Sequence, residues 1–427
     1  MPAKVSTISA VTARYSDMLR CGLIGKKLGH SYSPQIHKRL GDYSYKLFEM
    51  QEEDIGGFLR SDVWDGLNVT VPYKKSVIPF MDSLSETAEK TGSVNTVVRT
   101  SGGEIKGCNT DVAGFTELVK KSGMRMKGKK TLVLGSGGAS SAVRAALENI
   151  GSPYVVISRT GENNYDNLRL HSDARFIVNT TPVGMYPDNG RSPVDLSLFP
   201  HCEGVIDLIY NPCRTALLMQ AEKLKIPCEN GLYMLVAQAQ KSAELFTGKA
   251  IDDRVVSQIH TELAAASENI VLIGMPGCGK TTVAREIGRI SGRQVLDSDE
   301  EIKNRTGKTP AQIITEEGEP SFRKLESEVL SDFGKQSGAV IATGGGAVTV
   351  ERNYPCLHQN GIIIRLDRDL NSLPDDGRPI TKAEGIKALF KKRDLLYRKF
   401  SDVTVRSDSS PETVASEVIR TVGRLER

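Results

Sequence analysis

Two glycine-rich loops, GSGGAS at Gly135 to Ser140 and GMPGCGKT at Gly274 to Thr281, each follow an apolar run of strand character in this 427-residue chain. A strand that ends in such a loop and passes into a helix forms a phosphate cradle. Its glycines let successive backbone N–H groups converge on one anion at the helix N-terminus. A chain with two such loops is expected to contain at least two α/β units with largely parallel sheets and to bind two nucleotides. The second loop fits the P-loop pattern at every fixed position. Gly274 and Gly279 free the backbone, Lys280 reaches the outer phosphates, and Thr281 offers a hydroxyl to Mg2+. Gly277, Cys278 and Thr282 complete the residues expected around the nucleotide. The first loop is less specific, because glycine-rich turns between strand and helix also serve packing.

Composition narrows the partners. With 56 basic and 52 acidic residues the chain is nearly neutral, so nothing points to nucleic acid or an anionic membrane, and small molecules are the expected partners. The seven cysteines are dispersed, odd in number and without a CxxC pair, which fits free thiols in a reducing cytoplasm. Six scattered histidines form no metal-binding pattern. No apolar stretch approaches the ~20 residues of a membrane helix. Residues 1–19 lack a signal-peptide core and read as a disordered extension; being acid-poor and rich in Ser and Thr, they leave a transit peptide as the alternative.

Along the chain, strand-like runs alternate with amphipathic helical stretches. CGLIG, GLNVTVP, TLVLGSGG, PYVVIS and ARFIVNTTP are the clearest strands of the first part. LYMLVAQAQKSAELF after Gly231 predicts a long helix, and Asp253 to Ala265 a second. AAASEN at Ala264 to Asn269 reads as a linker before a fresh strand, NIVLIG, which places a domain boundary near Ala266.

The helix after Gly135, Gly137, Gly138 and Ala139 leads to PYVVIS, which ends at Ser158, Arg159 and Thr160. This is half of a Rossmann unit. The residue at the end of its second strand chooses the cofactor: a carboxylate there suits the ribose of NAD, whereas Arg159 suits the 2′-phosphate of NADP(H). A solvated surface arginine is the plainer reading. Upstream, GHSYSP at Gly29 to Pro34, NVTVPYKK at Asn68 to Lys75, SVNT at Ser93 to Thr96 and CNTD at Cys108 to Asp111 supply directional donors and acceptors for a small polyhydroxylated acid. Each has a simpler explanation, with Ser31 and Ser33 as helix caps, Asn95 in a turn, and Lys74 and Lys75 as a solvated pair.

Together with NTTPVGM at Asn179, DLIYNP at Asp207 and NGLYMLVAQ at Asn230, these segments resemble the shikimate dehydrogenase family from about Gly22 to Leu263. The resemblance implies that Ser31, Ser33, Thr70, Asn95, Asp111, Tyr210 and Gln238 hold shikimate, with Lys74 and Asp111 as the catalytic pair. It also implies a substrate-binding part at about 20–115 and 237–263 and an NADP-binding part at about 116–236. Tyr73 and Tyr233 stand where the family often has Phe and Gly, and the stretch from Thr160 to Asn179 is trimmed.

After the P-loop, VLDSDEEI carries Asp297 and Asp299 at the end of a strand, where both carboxylates approach the phosphates only if the chain bends into a helix. The alternative is an acidic helix N-terminus. Arg323 in FRKLE, Gly344 to Gly346 in ATGGGAV and Arg393 in KKRDLLYRK offer bidentate donors and a close backbone to an anionic, hydroxylated acceptor. This half is similar to shikimate kinase from Ile270 to about Val422. By that likeness Lys280 binds the β/γ phosphates of ATP, Thr281 and Asp297 serve Mg2+, and Asp299 meets the ring hydroxyls. Arg323 and Arg393 hold the carboxylate, Gly345 and Gly346 line the acceptor pocket, and Arg378 belongs to a lid that is shorter than usual.

The two likenesses imply a dehydrogenase at 20–265 and a kinase at 266–427, acting in sequence in the cytoplasm with NADP(H), ATP and Mg2+. A dehydrogenase preferring quinate and NAD, and a nucleotide-sensing regulator with one inactive half, are the alternatives. Nothing in the sequence sets the oligomeric state.

Overall fold

The computed structural model describes residues 18–29, 31–373 and 385–425. The described chain gathers into two compact units. One is built on the chain up to Pro182 with Pro193–Ile209 and Ala221–His260; the other is built on Val183–Ser192, Tyr210–Gln220 and the chain from Thr261 onward.

The first unit holds two sheets. Strands β1 (Arg20–Gly25), β2 (Ser44–Glu49), β3 (Gly66–Val69), β4 (Ser83–Leu84), β5 (Thr96–Arg99) and β6 (Ile105–Cys108) lie in the order β2-β1-β3-β5-β6-β4. The β3/β5 and β5/β6 pairings are antiparallel and the others parallel. This alternation positions the site. With Asn68 opposite Thr96 and Thr96 opposite Cys108, the end of β3, the start of β5 and the end of β6 lie at one edge. The segments carrying Lys74, Asn95 and Asp111 are therefore brought together from 37 residues of sequence separation between Lys74 and Asp111. Beneath the sheet Ile24, Leu67, Val69 and Val97 pack with Ile55, Leu59 and Trp64, all nearly or fully buried. The Trp64 indole donates to the Phe58 carbonyl at 3.1 Å and lies under the Arg99 guanidinium, 4.2 Å from the ring centre.

The second sheet is wholly parallel: β7 (Thr131–Leu134), β8 (Tyr154–Ile157), β9 (Phe176–Asn179), β10 (Gly204–Asp207) and β11 (Cys228–Asn230), in the order β11-β10-β9-β7-β8. Chain progression reverses between β7 and β9, and the Gly135 loop leaves β7 at that crevice, where open α/β sheets take ligands.

The second unit contains β12 (Asn269–Ile273), β13 (Val295–Asp297), β14 (Val340–Ala342), β15 (Gly361–Asp367) and β16 (Val403–Arg406), all parallel in the order β13-β14-β12-β15-β16. Strands β12, β14 and β15 are almost continuously apolar and buried, as required of strands covered on both faces. Parallel pairing puts the P-loop, Asp297, Gly344 and Arg368 at the same carboxyl edge.

The expected linker takes a different form. The second predicted helix spans Asp253–Ser267, so only Glu268 separates it from β12 at Asn269. Three consecutive alanines, strong helix formers, carry the helix through the stretch read as a connection.

Candidate active sites

At the edge where β3, β5 and β6 converge, Lys74 Nζ lies 2.7 Å from Asp111 Oδ2, with both side chains largely withdrawn from solvent. The other carboxylate oxygen, Oδ1, accepts from Asn95 Nδ2 at 2.9 Å, and the Asp111 backbone N–H donates to Asn109 Oδ1. Asp111 begins the helix Asp111–Ser122, where the positive end of the helix dipole supports its charge. Asn95 also donates to Thr110 Oγ1 at 3.0 Å and to Gln238 Oε1 at 3.4 Å, linking the pair to the helix Leu232–Thr247. Asn95 is thus fully engaged in the bend directly before β5, and Lys74 is an ion-pair partner and not a solvated cation. The capping role read for Ser31 is met in part. The helix Ser33–Leu40 has Tyr32 at its N-cap without a side-chain cap, and Ser31 Oγ accepts from the Ser33 N–H at 3.2 Å. Thr70 follows β3 and is half-buried, its N–H donating to the Ile24 carbonyl. Tyr210 is half-buried just past β10.

Gly135 has φ +103°, and a Cβ there would lie 2.9 Å from Thr180 Oγ1 and from Thr181 Cγ2. The backbone can therefore turn under a ligand only without a side chain. Gly137 caps the helix Gly138–Ile150, and Gly138 and Ala139 form its first turn. Ser158, at the end of β8, donates from Oγ to the Thr160 carbonyl and so tightens the turn from which Arg159 extends into solvent. An exposed cation at this point fits a phosphorylated ribose. Beside the glycine loop lies a cavity of about 220 Å³ whose lining includes Ser136, Gly137, Lys75, Lys90 and Arg144. These three cations suit a diphosphate at the helix N-terminus. Sequence reasoning did not find Lys90 and Arg144, which lie on separate helices and in no motif. Lys90 also pairs with Glu148 at 2.8 Å, and this bond holds the Glu148 carboxyl below its ordinary range.

In the second unit a cavity of about 540 Å³ reaches from the P-loop to the acceptor residues. Gly274 has φ +147°, and a Cβ would meet the Leu366 carbonyl at 2.5 Å. Lys280 is buried, donating to the carbonyls of Gly274 at 2.9 Å and Met275 at 3.1 Å. Thr281 Oγ1 donates to Asp297 Oδ2 at 2.6 Å. This adjacent hydroxyl and carboxylate are hard oxygen donors of the kind Mg2+ takes alongside phosphates and water. Asp297 Oδ1 accepts the N–H groups of Asp299 and Glu300, capping the helix Ser298–Thr306. The required bend into a helix is present, and Asp297 is both cap and candidate metal ligand. Gly277, Gly279, Thr282 and Asp299 also line the cavity. The Cys278 side chain is fully buried, leaving its backbone as the part available to phosphate.

At the acceptor end Arg323 donates to Glu319 Oε1 from Nε and Nη2 and to Glu326 Oε2 from Nη1 at 2.7 Å. A Cβ on Gly346 would fall 2.0 Å from Arg323 Nη2, so glycine is what lets the guanidinium lie there. Arg393, almost fully buried, and the Tyr397 hydroxyl both donate to the Gly345 carbonyl. Glu326 also lines this cavity and was missed by sequence reasoning, although it stands three positions after Arg323 on the same helix face. Burial raises its carboxyl above the ordinary range, opposed by Arg323. Arg378 lies outside the described residues.

Comparison with known proteins finds a family for each part of the chain. Residues 23–97 match the family model of the shikimate dehydrogenase substrate binding domain, and residues 276–423 match that of shikimate kinase. Shikimate dehydrogenase (NADP(+)) of Caldanaerobacter subterraneus subsp. tengcongensis is 37% identical over 272 residues, 57% of this chain and 96% of that protein. The crystal structure of a chorismate mutase/shikimate 5-dehydrogenase fusion protein from Clostridium acetobutylicum is 37% identical, with a TM-score of 0.55 over 58% of this chain and 97% of that one. Shikimate 5-dehydrogenase from Thermus thermophilus, in complex with NADP(H) and shikimate, is 32% identical, with a TM-score of 0.54 over 57% of this chain and 99% of that one. The chain belongs to the shikimate dehydrogenase family and carries a shikimate kinase domain behind it, a bifunctional enzyme of the shikimate pathway.

Proposed function

We propose that the chain reduces 3-dehydroshikimate to shikimate with NADPH and then phosphorylates shikimate with Mg-ATP to shikimate 3-phosphate. When bound, NADPH supplies the hydride for the substrate carbonyl carbon. Lys74 Nζ donates a proton to the carbonyl oxygen as negative charge develops there. Asp111 holds that ammonium through Oδ2, while Asn95 on Oδ1 fixes the carboxylate's direction. Ser31, Ser33, Thr70, Asn95, Asp111, Tyr210 and Gln238 would hold the substrate's hydroxyls and carboxylate. Gly135, Gly137, Gly138, Ala139, Ser158, Arg159 and Thr160 would hold the cofactor.

When bound, Mg-ATP supplies the phosphoryl group. Lys280 and the backbone of Gly277 to Thr282 take up phosphate charge, with Thr281 and Asp297 holding the metal. Asp299 orients or deprotonates the attacking hydroxyl, and Arg323 and Arg393 fix the carboxylate against Gly345 and Gly346. Arg378 is assigned to transition-state charge by its place in the motif. The observation that carries this half is that phosphate-handling and carboxylate-handling residues line one cavity.

The functional boundary is placed near Ala266, giving a dehydrogenase at 20–265 and a kinase at 266–427. Seven free cysteines support a reducing, cytoplasmic location. The test is to supply purified protein with 3-dehydroshikimate, NADPH and Mg-ATP and identify products by mass spectrometry. Shikimate 3-phosphate supports both halves; accumulated shikimate overturns the kinase assignment, and untouched 3-dehydroshikimate overturns that of the dehydrogenase.

A further inference from the structure

A buried chain of neutral hydrogen bonds runs from the substrate-binding sheet to the catalytic pair through a hydroxyl in no recognised motif. The Tyr45 hydroxyl donates to Asn68 Oδ1 at 2.8 Å, and Asn68 Nδ2 donates to Ser242 Oγ at 2.8 Å. Ser242 Oγ lies 2.8 Å from Thr96 Oγ1 and 3.1 Å from Thr110 Oγ1. Thr96 Oγ1 and the Thr110 N–H both donate to Asn95 Oδ1, and Asn95 Nδ2 donates to Asp111 Oδ1. Asn68, Asn95, Thr96, Thr110 and Ser242 are between 0% and 5% exposed, which leaves solvent unable to replace a lost partner.

Convergence makes Ser242 the junction. Its hydroxyl accepts from the Asn68 amide and lies within hydrogen-bond distance of Thr96 Oγ1, Thr110 Oγ1 and the Gln238 carbonyl one helical turn back, at 3.1 Å. One buried oxygen thus joins β3, β5, the turn before Asp111 and the helix Leu232–Thr247. Removing the hydroxyl takes from Asn68 Nδ2 its shortest contact, leaving only the longer ones to Thr96 Oγ1 at 3.3 Å and the Asn95 carbonyl at 3.4 Å, and takes a buried partner from the threonines that hold Asn95, so Asn68 and those threonines are free to rotate.

We propose that Ser242 is a positioning residue for the dehydrogenase reaction, holding Asn95 so that it directs Asp111 toward Lys74. This rests on the assignment of Lys74 and Asp111 as the catalytic pair. The experiment compares Ser242→Ala, Lys74→Ala and Ser152→Ala in the full chain, with kinase activity as the folding control. Ser152 lies in the cofactor-binding part, where its buried hydroxyl meets Thr131 Oγ1 at 2.9 Å and the Lys129 carbonyl, away from this chain of bonds. Ser242→Ala is expected to lower kcat about tenfold, with KM for 3-dehydroshikimate within about twofold, and to displace the pH profile of kcat. Ser152→Ala should lose thermal stability without moving kcat or the profile. If Ser242→Ala behaves like Ser152→Ala while Lys74→Ala abolishes turnover, the positioning role is overturned alone. If Lys74→Ala leaves turnover unchanged, the catalytic pair itself is overturned. Should Ser242→Ala lose kinase activity as well, Thr96→Val and Thr110→Val, which break the same path one bond further on, must displace the pH profile or the proposal falls.

Discussion

Asp111 in the first unit and Glu326 in the second are both buried carboxylates beside a cation, but their surroundings differ. Asp111 has Lys74 on one oxygen and Asn95 on the other, with hydroxyls and amides behind them. Glu326 has Arg323 on Oε2, no hydrogen-bond partner among the described residues on the fully buried Oε1, and the Asp299 and Arg393 charges close by. Neutral dipoles fix the direction of the first carboxylate, whereas opposing charges hold the second in place. The first arrangement is rigid because each buried donor has a partner to lose. The second keeps its cations available, since a guanidinium held by carboxylates can exchange one for the carboxylate of a ligand.

Several experiments strain this contrast. The largest effect is expected for Lys74→Ala, with dehydrogenase kcat down by about 10²–10⁴ and substrate binding little changed, read from steady-state kinetics and substrate titration. Acid should next separate the stabilities of the two units. Burial lowers the His37 imidazole to about 3, and it is bonded through Nδ1 to the Tyr43 hydroxyl. The unfolded chain takes up this proton near pH 6.5 while the folded first unit refuses it, so stability falls as pH drops below that value. Between about pH 6.5 and 5 the expected loss is about 2 kcal/mol. Amide exchange in the helix Leu232–Thr247 would measure it, and His37→Gln should flatten the pH slope.

Gly346→Ala probes the charged site by displacing Arg323 without removing it. The KM for shikimate should rise about tenfold, with ATP affinity retained. An unchanged KM would mean that the guanidinium is not held where the ligand needs it. Smallest of all, Glu326→Gln should reduce the variation of shikimate KM with pH by about two- to threefold, since it removes the carboxyl whose range burial raises. If the variation persists in full, another group sets it.

Sequence reading succeeded where one residue type answers one geometric demand. Gly274 must be glycine at its positive φ, Lys280 must reach into the loop, and Asp297 must end a strand and begin a helix. The strands β7, β9 and β12 were legible because burial on both faces makes them continuous apolar runs. Strands β5 and β6 were obscured because SVNT runs into the start of β5 and CNTD begins at the end of β6, so these stretches read as pocket-lining segments and not as strand ends. Glu326, Lys90, Arg144 and Ser242 were missed for another reason. Each lies on a helix face that becomes part of a site only when a distant segment packs against it, and no local period marks that event.

The chain contains a single tryptophan, and Trp64 is fully buried in the core of the first unit. Selective excitation of indole therefore lights one half of the molecule and leaves the other dark. Bound NADPH absorbs where indole emits, so energy transfer from Trp64 would follow cofactor arrival at the first unit while the second turns over ATP unseen. An emission change on adding Mg-ATP alone, without NADPH or shikimate, would then be a message passed along the chain, a direct optical answer to whether two enzymes made as one polypeptide sense each other.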